Sequence, residues 1–231
     1  MAEHAEIEFE LAIISEPEGT ELADIEGVSD ELALRVVGLT LARAAVAQPI
    51  EISLLMTSDE HIRELNRDFR GKDEATDVLS FPLLDEPLVD APTDELWQSE
   101  EGDVPPAALN GASMPTVHGG VALGNADDAD YDEVEDDDDE AGLDVDDAEL
   151  DGEDDDLGPE ETALHLGDVA ISRDTLARQA EQAGHSLAWE FAYLLAHGVL
   201  HLVGYDDRTE AGYRAMVAHQ AAVLVELGIS H

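Results

Sequence analysis

The chain has no cysteine among its 231 residues, which excludes disulfide frameworks, thiolate zinc sites, iron–sulfur clusters and cysteine nucleophiles. Any metal must therefore be held by His, Asp or Glu. Basic residues are scarce as well: 10 Lys and Arg stand against 57 Asp and Glu, a formal net charge of −47. A negative field of that size repels phosphate at long range and argues against general binding of nucleic acid. Aromatic residues make up 4% of the chain. No apolar run reaches the roughly 18 residues of a transmembrane helix, and Met1–Glu10 lacks the basic and apolar regions of a signal peptide. These absences predict a soluble, cytoplasmic protein with no membrane partner. What the chain does have is 44% hydrophobic residues, enough for a substantial core.

The acids are unevenly placed. From Asp85 to Ala163 there are 30 acidic residues and no Lys or Arg, so the remainder holds 27 acids and all ten bases. Asp136–Glu140 and Asp154–Asp156 are unbroken acidic runs in which like-charge repulsion opposes compaction. The expected organisation is a single domain formed by residues 1–89 and 161–231, interrupted at 90–160 by an acidic, low-complexity, disordered insertion. The insertion reads first as a solvating arm, with docking of basic proteins as a further role. Calcium binding is the sharper alternative, but no Asp-x-Asp-x-Asp-Gly loop closed by a Glu at its twelfth position occurs.

Either side of the insertion the sequence shows regular periods. Ile7–Ile13 alternates as a half-buried strand, and Glu16–Gly19 follows as a turn. Ser29 caps a helix over Asp30–Ala47 that Pro49 stops. Ile50–Met56 reads as a second strand, Asp59–Asn66 as a short helix, and Val78–Leu84 and Val169–Ser172 as further strands. The remainder is helical over Asp174–Ala183, Leu187–Val203 and Glu210–Leu227. Strands early and helices late predict an α/β (α+β) fold with one small mixed sheet packed with helices.

The most informative stretch is His197-Gly-Val-Leu-His201-Leu-Val-Gly204-Tyr-Asp206-Asp207. At 3.6 residues per turn, His197 and His201 project from one helix face, close enough for both imidazoles to reach one ion. Two such His are often ordinary packing residues. Here Phe191, Leu194, Leu195 and Leu202 mark the helix as buried, and burying two imidazoles without a partner is costly. Gly204 permits the left-handed turn that ends a helix, so the returning chain can present Asp207 as a third ligand, with Asp206 as its rival. The spacing repeats that of metzincin proteases. Gly198, however, stands where those enzymes place their general-base Glu, so peptide hydrolysis by that mechanism has lost its base.

Three blocks together resemble the YbeY family of bacterial rRNA maturation factors: Leu65-Asn-Arg-Asp-Phe-Arg-Gly-Lys-Asp-Glu-Ala-Thr-Asp-Val-Leu-Ser-Phe-Pro82, Leu166-Gly-Asp-Val-Ala-Ile-Ser172, and His197–Asp207. The resemblance implies a zincin-like fold and a metal-dependent, single-strand-specific endoribonuclease. Its substrate would be the 3′ end of small-subunit (16S) rRNA, in maturation and ribosome quality control, with rRNA and small-subunit proteins as partners and no DNA. It implies one Zn²⁺ per chain on His197, His201 and the third-ligand position. The family has His at that position and this chain has Asp207, a harder, anionic ligand that opens the site to Mn²⁺ or Fe²⁺. The family's Arg-Gly-Lys-Asp segment implies Arg70 as the catalytic or phosphate-binding arginine. The residues themselves agree: a guanidinium forks onto phosphate, and Arg63, Arg67, Arg70 and Lys72 put four of ten basic residues within ten positions. A surface salt bridge is the ordinary alternative for each.

No protein general base is evident; hydroxide on the metal, the RNA 2′-hydroxyl or an unassigned carboxylate could serve. Thr76, Asp77, Ser80, Gly167 and Asp168 read as structural, and His165, His185 and His219 as surface or packing residues. The alternative function is a ribosome-assembly factor with a structural metal and little nuclease activity.

Overall fold

A computed structural model describes residues 8–92 and 163–229. Almost all of the acidic insertion expected at 90–160, with its proposed disorder and calcium alternative, lies outside the described residues. Four strands form one sheet: β1 (Phe9–Ser15), β2 (Ile50–Thr57), β3 (Val78–Pro82) and β4 (Leu164–Ser172), in the order β1-β2-β4-β3. β1, β2 and β4 run parallel, while β3 pairs antiparallel with β4 and forms the edge. Five α-helices accompany it: α1 (Asp30–Arg43), α2 (Asp59–Arg70), α3 (Arg173–Ala183), α4 (Leu187–Val203) and α5 (Glu210–Leu227). This is the small mixed sheet packed with helices that the periodicity predicts. No single described helix is long and apolar enough to cross a membrane.

The core lies on one face of the sheet and is organised around α4. Every residue from Trp189 to Val203 is buried, because α4 is packed between β3 and β4 on one side and α1, α3 and α5 on the others. Fully buried Phe191, Leu194, Leu195 and Leu200 each contribute about 1.5–3 kcal/mol of apolar burial. α2 covers the opposite face, where Ile62 joins Leu79 and Ala170 beneath Leu65 and Phe81. Each α-helix opens on a Ser or Thr whose hydroxyl accepts a backbone N–H, as Ser186 does from Trp189 at 3.2 Å, and such a cap is worth about 1 kcal/mol.

Three elements differ by four or more residues at one end from their sequence-based bounds, the rest by no more than two. α1 stops at Arg43, not Ala47: Ala45 turns left-handed (φ 59°) and Val46 N–H closes back on the Leu41 carbonyl at 3.1 Å. That turn puts Val46 into the core, which outweighs its helical spacing. β4 begins at Leu164 rather than Val169, because the register with β2 slips between Glu51 and Ile52, opposite Gly167. The bulge breaks the alternation by which a strand is recognised. α2 runs four residues past Asn66 to Arg70, into a polar stretch with no core-facing repeat. This last difference matters most, since it puts Phe69 and Arg70 on a rigid element.

Candidate metal centre

The period of α4 brings His197 and His201 onto one face, with Nε2 atoms 3.0 Å apart and rings nearly perpendicular. Both side chains are almost entirely buried. Gly204 then turns left-handed (φ 113°), and the turn folds Tyr205 back so that its carbonyl oxygen lies 2.9 Å from His201 Nδ1. A carbonyl only accepts, so Nδ1 carries the proton. Burial and the neighbouring His197 hold His201 well below the ordinary imidazole range. The ring is therefore neutral, and its Nε2 lone pair points at His197.

The next turn brings a carboxylate to the imidazole pair. Asp207 Oδ2 stands 3.8 Å from His197 Nε2 and 3.9 Å from His201 Nε2. Its rival Asp206 is taken: Arg208 donates to it from Nε at 3.0 Å and from Nη2 at 2.7 Å. Burial raises the Asp206 carboxyl, but these hydrogen bonds overcome that and lower it overall. Burial raises Asp207, partly offset by His197. His197, His201 and Asp207 form a group of metal-capable ligand atoms within 4.8 Å of one another. Two nitrogens on one tetrahedral zinc lie about 3.3 Å apart at the usual 2.0–2.1 Å bond length, close to the 3.0 Å here. The carboxylate is roughly half an ångström wider and closes by a small side-chain rotation. Two imidazoles and a carboxylate, with one imidazole oriented by a backbone carbonyl, fit a divalent ion.

Arg70 arrives from the other face of the sheet, at the last turn of α2. It is half-buried, makes no ion pair or hydrogen bond among the described residues, and its charge is felt at both Asp207 and His201. Burial lowers its pKa and the Asp207 charge raises it, with burial prevailing. The other arginines of the cluster behave differently. Arg63 binds Asp73 through two hydrogen bonds of 2.7 and 2.8 Å, and Arg67 binds Asp68 at 2.9 Å. For those two the ordinary salt bridge holds, and the basic patch expected at Arg63–Lys72 contracts to Arg70 and Lys72.

Gly198 has a packing reason. A Cβ there would stand 2.6 Å from Val169 Cγ1 and 3.3 Å from Ser80 Oγ, and Ser80 donates to the Gly198 carbonyl at 3.2 Å. The position faces the sheet, so a glutamate could not occupy it in this packing. Asp77 is structural as read: it accepts from Val78 N–H at 2.8 Å and from Gln179 Nε2 at 2.9 Å. Tyr205 and His219 meet at 3.0 Å.

Two features escaped the sequence reading. Tyr213, on α5, lies near enough for the Asp207 charge to add to burial in raising its phenol; nothing in its sequence surroundings distinguishes it. His185, read as a surface or packing residue, has a side chain wholly out of solvent and 3.3 Å from Glu190 Oε2. Burial, helped by the Asp77 charge, pushes Glu190 up to about 8. An acidic residue inside the apolar stretch of α4 was the available signal.

A buried His₂–carboxylate cluster on a helix beneath a mixed sheet defines a class of metal-binding α/β proteins, and comparison with known proteins narrows it. The profile of the family described as Endoribonuclease YbeY matches residues 20–228. The chain is 33% identical over 195 residues to "Endoribonuclease YbeY" of Moorella thermoacetica, covering 84% of each chain. It is 31% identical over 204 residues to the protein of the same name from Roseiflexus castenholzii, covering 88% of this chain and 86% of that one. A solution structure from Thermotoga maritima aligns over 94% of this chain and 91% of its own, at 16% identity and a TM-score of 0.43. The chain belongs to the YbeY family of endoribonucleases, as the three sequence blocks suggested.

Proposed function

We propose that this chain is a metal-dependent endoribonuclease in which His197, His201 and Asp207 hold one divalent ion and Arg70 binds and stabilises the scissile phosphate. The carrying observation is Arg70: a half-buried guanidinium, unpaired among the described residues, near a His₂–carboxylate cluster in a chain of net charge −47. A divalent ion held by His197, His201 and Asp207 would supply polarisation of a phosphoryl oxygen and activation of water. His201, neutral and oriented by Tyr205, keeps a lone pair available to it. Arg70, at the end of α2, places a fixed positive charge where negative charge develops in the transition state. Asp207 balances that charge when no substrate is present.

The substrate proposed is single-stranded rRNA at the 3′ end of the small-subunit transcript, in the cytoplasm, in rRNA maturation and ribosome quality control. Zinc is the proposed ion, with Mn²⁺ or Fe²⁺ favoured if the anionic Asp207 dominates the ligand field. The rival role, a structural metal in an assembly factor, is less well supported. The site is held together by protein contacts, namely the α4 period, the Gly204 turn and the Tyr205 carbonyl. The test is chelation followed by circular dichroism and cleavage of precursor rRNA. A folded, inactive protein restored by added metal supports the proposal; unfolding on chelation, or cleavage unaffected by it, overturns it.

A further inference from the structure

Phe69 sits immediately before Arg70 on the last turn of α2, and 62% of its surface is exposed. The chain contains four phenylalanines. Phe191 is fully buried and Phe9 packs against the core, whereas Phe69 is the most exposed large apolar side chain on that side of the sheet. Its ring is held: Phe81 on β3 meets it edge-to-face at 5.1 Å. A ring contacted at one edge or face and so widely open keeps at least one π-face free. The strand that holds it leads to the metal centre, since Ser80, next to Phe81, binds the carbonyl of Gly198, the residue after His197. Leu83, 59% exposed, continues the face of β3 that presents Phe81.

We propose that Phe69, steadied by Phe81, is a stacking platform for an unpaired nucleobase of the substrate strand, adjoining the phosphate bound at Arg70. This rests on the nuclease reading above and adds how a single strand is chosen. A base in a duplex has both faces covered by its neighbours, while an unpaired base offers a free π-face to an aromatic ring. Stacking also needs no positive charge. That matters on a surface where Arg63 and Arg67 are already neutralised by Asp73 and Asp68 and the overall field repels phosphate. An ordinary role is simpler: Phe69 ends the apolar stripe Ile62–Leu65 by covering Phe81. Aliphatic Leu would serve that role nearly as well, and this separates the two.

The test is binding of a short oligonucleotide containing 2-aminopurine to the full-length, metal-loaded chain. Single-stranded DNA of matched sequence is used alongside RNA so that cleavage does not interfere. Phe69→Leu and Phe69→Ala should both weaken single-strand binding about 5- to 150-fold, the range of one lost base stack. Both should abolish the stacking quench of 2-aminopurine, and Phe69→Trp should retain it. Duplex binding should be unchanged in all three. Leu behaving as wild type, or equal losses for duplex and single strand, overturns the platform. RNA cleavage by wild type is read in parallel: stacking without cleavage refutes the nuclease assignment alone, and cleavage indifferent to Phe69→Leu refutes the platform alone. Thermal melting of each variant guards against misfolding, and Phe69→Trp keeps the comparison valid if Phe69→Ala proves unstable.

Discussion

Arg208 donates to both carboxylate oxygens of Asp206, and that pair leaves the adjacent Asp207 as the carboxylate facing His197 and His201. Asp207→Asn should therefore lower metal affinity by at least about 10–100-fold, the cost seen even for outer-shell partners. Asp206→Asn should change it less than about threefold. Asp207→His, which makes three imidazole ligands, should raise affinity for zinc relative to Mn²⁺. Competition with a chromophoric chelator checks all three, and a larger loss in the Asp206 variant would reverse the ligand assignment.

Arg70 is expected to act on the transition state rather than on folding. Arg70→Ala should reduce kcat about 10²–10³-fold, as for the loss of one preorganised donor, and Arg70→Lys should recover only part because a point charge lacks the planar fork. Arg63→Ala removes an exposed ion pair instead, and should cost no more than about 1 kcal/mol of stability and leave kcat within severalfold. Cleavage kinetics and thermal melts on the same samples separate the two.

The contact of Gly198 with Val169 predicts a coupled pair. Gly198→Ala inserts a methyl 2.6 Å from Val169 Cγ1 and should destabilise the fold by about 1–3 kcal/mol. Val169→Ala removes both γ-carbons, so the double variant should be more stable than the sum of the single losses. Additive urea-denaturation energies would show that the clash is relieved elsewhere.

Glu190 yields a pH signature. Burial pushes its carboxyl up to about 8 in the native protein, from the ordinary 4.5 that it regains on unfolding. Below 4.5 both states hold the proton. As pH rises from about 4.5 to 8 the unfolded state releases a proton that the native state keeps, so stability falls through that window and levels off above it. Glu190→Gln removes this contribution. The Tm of the variant minus that of wild type should grow between pH 5 and pH 8, and a flat difference would mean that Glu190 is ionised beside His185.

Replacing residues 93–160 by a short Gly/Ser linker removes 26 acidic residues and no Lys or Arg. RNA affinity should then rise, most strongly at low salt where charge acts furthest, with kcat preserved. Loss of cleavage would place the insertion in the active site.

The sequence alone was sufficient for what depends on neighbours along the chain. The pairing of His197 with His201 follows from the helical period, and the Gly204 turn with an acid beyond it follows from backbone conformation. The core face of α4, the Ser and Thr caps and most strand positions are equally local. Tertiary structure decided what depends on where side chains from different elements meet. Spacing already favours Asp207 over Asp206 as the third ligand, and the tertiary contacts add that Arg208 pairs with Asp206 while Asp207 faces the two imidazoles. Arg63, Arg67 and Arg70 share one helix, yet of the three only Arg70 acts on the charge of Asp207, while the other two close on acids beside them. Against the opening deficit of positive charge stands Arg70, unpaired among the described residues and near enough to act on Asp207, a placement set by long-range packing rather than by neighbours along the chain.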